Sequence, residues 1–322
     1  MIKIKILVPE YYKSFKCVAD KCPDTCCAGW EVNLDENAVK KYQKIKGKLG
    51  GKIKKYLDKD EDEDYIFKLK NNRCPFLNNK NLCEIFSELG EESLCKTCTY
   101  FPRFFEDYGN FREMGLGLGC PEVTRIIFEN DVNFSFVNFK ETEEKAEEID
   151  EDFLKILLLA RKEIFAQLDG KETLKNKLKS VIKIAKEIQK SEEISDEKSF
   201  ADCINVLSEM EFIDTERKNL YLSLTDEIDE SFYEKYHSDF VKLMKYYVQR
   251  YFLKSVFDGE PLTKIKYGVF AVIITGRLYN KTERMEAIWG YSKEIEYSDV
   301  NMEILDKAMY YDFTSENLIN LI

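Results

Sequence analysis

The sequence predicts a mainly α protein in two parts: a small, irregular, cysteine-rich metal-binding N-terminal domain with short strands, followed by an all-α helical domain. Nine of the ten cysteines fall in the first 120 residues, and apolar positions beyond residue 150 recur with helical period. Charge divides the chain in the same way. Residues 1–120 hold 21 Lys and Arg against 19 Asp and Glu, whereas the other 202 hold 28 against 41. The charge run 140–152, KETEEKAEEIDED, has no apolar periodicity and marks a linker or an exposed first turn, giving domains of 1–138 and 150–322.

In chain order, Ile2–Val8 alternates lysine with apolar residues and reads as a short strand. Tyr65–Leu69 and Phe76–Ile85 read as further extended pieces, the second turning at Asn78–Asn81. Helices are expected at Asn37–Leu49, Glu84–Leu89 and Glu122–Phe128, the last preceded by Pro121 at a first-turn position. In the second domain Phe153, Ile156, Leu157, Ala160, Ile164 and Leu168 share one helix face, and Gly170 ends the run. Further helices are expected at Leu174–Gln189, Phe200–Phe212, Glu216–Ile228, Phe232–Phe257, Thr263–Tyr279, Met285–Glu294 and Val300–Met309, with Gly259 and Pro261 stopping the longest. No fixed-period repeat is visible, which excludes solenoids.

Composition excludes several function classes. A net charge of −11 disfavours nucleic acid, whose phosphates need clustered Lys and Arg. The nearest approach to a membrane span is Val269–Thr275, far short of the roughly 18 apolar residues a span needs. The N-terminus lacks the apolar core and cleavage site of a signal peptide, so a cytosolic protein with reduced thiols is expected. With one histidine, His237, any Ser-His-Asp triad or histidine-ligated zinc hydrolase would have to rest on that single residue, and it reads as a solvated or boundary residue.

The cysteines carry the chemistry. They cluster as Cys17, Cys22, Cys26 and Cys27, then Cys74 and Cys83, then Cys95 and Cys98, then Cys120. Thiolates suit zinc and iron–sulfur clusters at about four per site, so nine allow one or two sites. Disulfide scaffolds are shorter, secreted and denser in cysteine. Adjacent Cys26 and Cys27 do not readily chelate one ion together, so one of them supports the site or serves another metal. Pro75 and Pro121, each just after a cysteine, mildly favour an iron–sulfur centre. Cys203 lies in a helical pattern and reads as a small buried hydrophobe. The stretch Gly115-Leu-Gly-Leu-Gly119 is no dinucleotide loop, and its glycines predict close backbone approach to the metal site.

Three segments then carry a family resemblance: FKCVADKCPDTCCAGWEVNLD (15–35), CPFLNNKNLCEIFSELGEESLCKTCTYFPR (74–103) and GLGLGCPEVTRII (115–127). They closely resemble the flagellin lysine-N-methylases, and the cysteine part resembles a broader CxxxCxxCC group of metal-binding proteins. The C-terminal half is similar through YVQRYFLKSVFDGEPLTKIKYGVF (247–270) and YSKEIEYSDVNMEIL (291–305). The resemblance implies methyl transfer from S-adenosylmethionine to lysine ε-amines of flagellin by a cytosolic enzyme carrying an iron–sulfur cluster. Carried over by position, the cluster pattern falls on Cys17, Cys22, Cys26, Cys27, Cys74, Cys83, Cys98 and Cys120, with Cys95 outside it. Tyr297 stands where relatives often carry histidine, so no role is transferred to it.

Arg103, Arg112 and Glu113, lying among the cysteines, are the candidates to bind the methyl donor's carboxylate or ribose, or else are ordinary ion pairs. Tyr100, Phe101, Phe104 and Phe105, and Tyr246, Tyr247 and Tyr251, are aromatic groups able to hold a cation but more often core. The alternative to an enzyme is a zinc or iron–sulfur module that binds a protein partner through its helical domain.

Overall fold

A computed structural model describes residues 2–30, 32–145, 148–190, 196–228 and 230–322. Among the described residues seven strands are formed: β1 (Ile2–Pro9), β2 (Val32–Asn33), β3 (Leu57–Lys59), β4 (Tyr65–Phe67), β5 (Arg103–Tyr108), β6 (Phe111–Leu116) and β7 (Phe136–Glu144). The helices of the first part are α1 (Glu36–Tyr42), α2 (Gly47–Tyr56), α3 (Glu84–Leu89), α4 (Lys96–Tyr100) and α5 (Pro121–Glu129). Those that follow are α6 (Glu151–Asp169), α7 (Leu174–Gln189), α8 (Phe200–Glu209), α9 (Thr215–Leu222), α10 (Glu230–Lys235), α11 (His237–Tyr251), α12 (Ser255–Asp258), α13 (Pro261–Leu278), α14 (Arg284–Ile295), α15 (Asp299–Lys307) and α16 (Ser315–Asn320). The protein is mainly α, with two small sheets.

Packing divides the chain into two units. The cysteine unit comprises Lys16–Phe104 and Cys120–Glu122, and the helical unit Met1–Phe15, Phe105–Gly119 and Val123–Ile322. This is a different division from one at 138 and 150. β1 pairs in parallel with β6 and antiparallel with β7, so strands on either side of the cysteines in sequence belong to one sheet, ordered β5-β6-β1-β7. The main part of the cysteine unit, Lys16–Phe104, thus follows β1 in the chain as an insertion into the sheet's strand sequence, and Cys120–Glu122 joins it from beyond β6.

β7 also corrects the linker reading. Its second half is the start of the acidic run, and the glutamates find a place there because β1 offers lysines: Lys3 and Lys5 lie opposite Glu143 and Glu141. Opposite charges across a strand pair support the pairing. Ala146 and Glu147 of the run lie outside the described residues.

The helical unit is built around α13, every residue of which is buried. Its three cations are matched. Lys264 pairs with Asp258 at 2.8 Å and Asp306 at 2.9 Å, Lys266 donates to the carbonyls of Met309 and Phe313, and Arg277 reaches Asp226 at 2.5 Å. Buried charges paired in this way avoid the large penalty of isolated ones. Val269–Thr275 is the centre of this core helix, and no helix of the described residues is long and apolar enough to cross a membrane.

The expected helix Phe232–Phe257 is three helices. Tyr236 (φ −107°, ψ 23°) leaves helical geometry between α10 and α11, and a 3₁₀ turn at Phe252–Lys254 separates α11 from α12. The expected helix Asn37–Leu49 is likewise two, broken before Gly47, whose φ of +76° suits glycine.

The core of the cysteine unit gathers Val32, Leu34, Val39, Tyr42, Ile53, Phe67, Phe76 and Ile85, with the Phe67 and Phe76 rings 4.6 Å apart. Its sheet, ordered β2-β4-β3, is antiparallel throughout.

Candidate functional site

Backbone pairing brings the cysteines of the insertion together. Ala28 bridges Arg73 and the Cys74 N–H donates to the Cys27 carbonyl at 2.8 Å, so the first and second cysteine stretches run side by side. Leu77 bridges Cys83, folding Cys83 back toward Cys74 around the turn at Asn78, whose side chain accepts from the backbone N–H groups of Lys80 and Leu82. Helix α4, which carries Cys98, is pinned to α1. Asp35 caps α1 through the Ala38 N–H at 3.1 Å and accepts the Lys96 N–H at 2.9 Å with its other oxygen, and the Thr97 hydroxyl donates to the Asn33 carbonyl. Burial works against the Asp35 charge, but these backbone donors prevail and hold its carboxyl below the usual range.

The thiols form two overlapping groups. Cys26 hydrogen-bonds Cys27, which raises its pKa, and it also feels Cys120 and Cys17. Cys27 in turn acts on Cys74, Cys83 and Cys98. Burial pushes the Cys74 thiol up to about 12. Cys98 donates to Cys95, lowering the pKa of Cys95 and raising its own. Cys95, left out of the ligand pattern on resemblance, is buried in the same cluster. Cys22 follows a short 3₁₀ turn and is half-buried.

None of the ten cysteines forms a disulfide. The donor set is thiol alone, which suits zinc or an iron–sulfur cluster chemically. Among the described residues, however, no group of three or more Cys, His, Asp or Glu side chains converges as ligands around a metal do. The thiols are gathered, not closed around a point. Cys203 is fully buried in α8 with its thiol pushed up to about 12 by burial. His237 opens α11, 3.4 Å from Glu234.

In the helical unit, the approach that Gly117 and Gly119 permit is to Tyr297, not to a thiol. A methyl group on Gly117 would overlap the Tyr297 hydroxyl and lie 3.2 Å from Arg250, and one on Gly119 would lie 2.6 Å from the Tyr297 ring. Behind that ring is a buried carboxylate, Glu296, paired with Arg250 at 2.9 Å. It accepts the hydroxyls of Tyr246 and Tyr251 at 2.9 Å and of Tyr247 at 3.0 Å. Arg250 lies over the rings of Tyr246, Tyr251 and Tyr297 at 5.2–6.0 Å, and the Tyr246 oxygen accepts the Leu118 N–H. The tyrosines singled out in the sequence are thus core residues organised by Glu296. Neither Arg250 nor Glu296 stood out there, because the two lie far from each other in sequence.

Arg112 and Glu113 are both engaged within the helical unit. Arg112 forms a fork with Asp107 at 2.6 and 2.7 Å and reaches Glu144 at 2.9 Å. Glu113 is held by Arg161 at 2.6 and 2.8 Å, with both side chains buried. Arg103 opens β5, half-buried, in the cysteine unit.

Comparison with known proteins gives the family. The chain is 34% identical over 146 residues to lysine-N-methylases of Salmonella typhimurium and Salmonella choleraesuis, a match covering 41% of this chain and 34% of each relative. It therefore spans about a third of their length. To a flagellar biosynthetic protein FliU of Salmonella muenchen it is 35% identical over 146 residues, covering 41% of this chain and 82% of that protein. No family model matches, and no solved structure matches. With four-fifths of the FliU protein covered at this identity, the chain belongs to the flagellin lysine-N-methylase family.

Proposed function

We propose that this protein transfers methyl groups from S-adenosylmethionine to lysine ε-amines of flagellin in the cytosol, and that its cysteine unit holds an iron–sulfur cluster. The observation that carries the reading is the match to relatives named lysine-N-methylase and flagellar biosynthetic protein FliU. In the transfer, the lone pair of a neutral lysine nitrogen forms a bond to the sulfonium methyl. The carbon–sulfur bond breaks with its electrons on sulfur; the lysine has given its proton to solvent before the attack, and the methylated amine leaves as the cation it is at neutral pH. A neutral amine at the reacting position is the main requirement, and desolvation favours it.

The cluster ligands are Cys17, Cys22, Cys26, Cys27, Cys74, Cys83, Cys98 and Cys120, with Cys95 beside them. Support comes from the electrostatic influence among Cys17, Cys26, Cys27, Cys74, Cys83, Cys98 and Cys120 in one unit and from the uniform softness of thiols as donors. Bound there, a cluster would cross-link separate stretches of a unit with a modest core. Arg103, in the cysteine unit, is the residue proposed for the methyl donor's carboxylate; Arg112 and Glu113 are held in ion pairs of the helical unit.

The test supplies purified protein with S-adenosylmethionine and flagellin and maps flagellin peptides by mass spectrometry. Lysine peptides gaining the mass of a methyl group support the reading. Unmodified lysines, with iron and sulfide present in the protein, would overturn it in favour of a partner-binding module.

A further inference from the structure

We propose that the cavity between α2 and the 70–80 loop of the cysteine unit binds a small multivalent oxyanion, of the class of phosphate esters or polycarboxylates. The cavity is an open hollow of about 610 Å³, larger than a single phosphate requires. Its lining includes Lys52, Lys70, Arg73 and Lys80, together with the amides of Asn71 and Asn79. Lys52 is neutralised by Glu84 at 2.6 Å. The other three cations have no carboxylate partner among the described residues. The side chains of Lys70 and Lys80 make no hydrogen bond there, and the Arg73 guanidinium reaches only the Asn81 side-chain oxygen, at 2.7 Å.

The lining's one carboxylate and the Asn78 amide oxygen are already engaged. Glu84 faces Lys52, and the Asn78 oxygen accepts two backbone N–H groups. What remains is three cations and the amides of Asn71 and Asn79, a wall with an excess of positive charge on a chain whose net charge is −11. A ligand that satisfies such a wall must bring acceptors and negative charge, and one carrying several oxyanion groups can engage more than one cation at once. The inference does not depend on the methylase reading.

The experiment titrates the full-length protein by calorimetry at low salt with pyrophosphate and, separately, with citrate. Saturable binding of at least one of them is expected, weakened about tenfold by Arg73→Ala and again by Lys80→Ala, and falling with added salt. Pyrophosphate alone binding identifies a phosphate site, and citrate alone a carboxylate site. These residues are exposed, so the variants should melt with wild type, and a melting curve for each confirms that it is folded. Absence of saturable binding by both probes, or equal binding by folded Lys70→Ala/Arg73→Ala/Lys80→Ala protein, overturns the proposal. So does binding of an acidic peptide by protein that binds neither small anion.

Discussion

Removing the carboxylate of Glu113 should destabilise the helical unit severely, and removing its partner as well should restore most of the loss. The pair is buried, with side chains 5% and 9% exposed, and joined by two hydrogen bonds of 2.6 and 2.8 Å. The guanidinium also lies 4.9 Å from the centre of the Phe136 ring. Glu113→Ala leaves that cation buried without a counter-charge, which costs about 3–5 kcal/mol. For a chain of this size each kcal/mol lowers Tm by roughly 2–4 °C, so the variant should melt roughly 6–20 °C below wild type. In Glu113→Leu/Arg161→Met both charges are gone and apolar atoms fill the space, and stability should return to within about 2 kcal/mol of wild type. Urea unfolding of the wild type, both single variants and the double variant measures the coupling. A loss below about 1 kcal/mol in Glu113→Ala, or a double variant no better than the worse single, would refute the assignment of these charges to each other. The double variant also separates roles: folded protein that has lost affinity for S-adenosylmethionine would return Glu113 to the cofactor site.

Other perturbations follow from the same geometry. Gly117→Ala should cost about 1–3 kcal/mol by urea unfolding because its methyl displaces Tyr297, and most of that penalty should vanish in a Tyr297→Ala background. An equal penalty in both backgrounds would place the clash elsewhere. The Asp35 carboxyl is held below its ordinary value in the folded state, so its contribution to stability is complete above the unfolded pKa of about 3.9 and is lost as pH falls through the lower folded value. Asp35→Asn should therefore flatten the decline in urea midpoint between about pH 5 and pH 3, and an unchanged acid limb would show that the capping bonds carry no such linkage. Cys74→Ser should lower the metal bound per chain, read by elemental analysis of anaerobically prepared protein, whereas Cys203→Ser should not. Equal metal in both variants would remove Cys74 from the ligand set.

Much of the helical unit was legible because its signals are local. Leu174–Gln189 is observed as expected, with Thr173 capping the Asn176 N–H and an apolar face at Leu174, Leu178, Val181, Ile182 and Ala185. The breaks within 232–257 carry no proline or glycine and arise from packing, so periodicity ran through them. The β5–β6 hairpin did have a local signal, Gly109-Asn110 between two aromatic stretches, with Gly109 at φ +65°. β7 did not, since an acidic run becomes a strand only beside the lysines of β1, more than 130 residues away in sequence. The glycines of 115–119 announced a close approach without its partner. Tyr297 lies far along the chain, and only the fold brings it there. For the cysteines, composition indicated a thiol-rich unit, while the meeting of Cys27 with Cys74 depended on backbone pairing that spacing does not reveal.

The most direct measurement of the central claim uses S-adenosylmethionine carrying a deuterated methyl group, incubated with this protein and flagellin, followed by fragmentation mass spectrometry of flagellin peptides. The account predicts deuterated methyl on lysine side-chain nitrogen, absent when this protein is omitted. Flagellin that acquires no label from folded, metal-replete protein would contradict it.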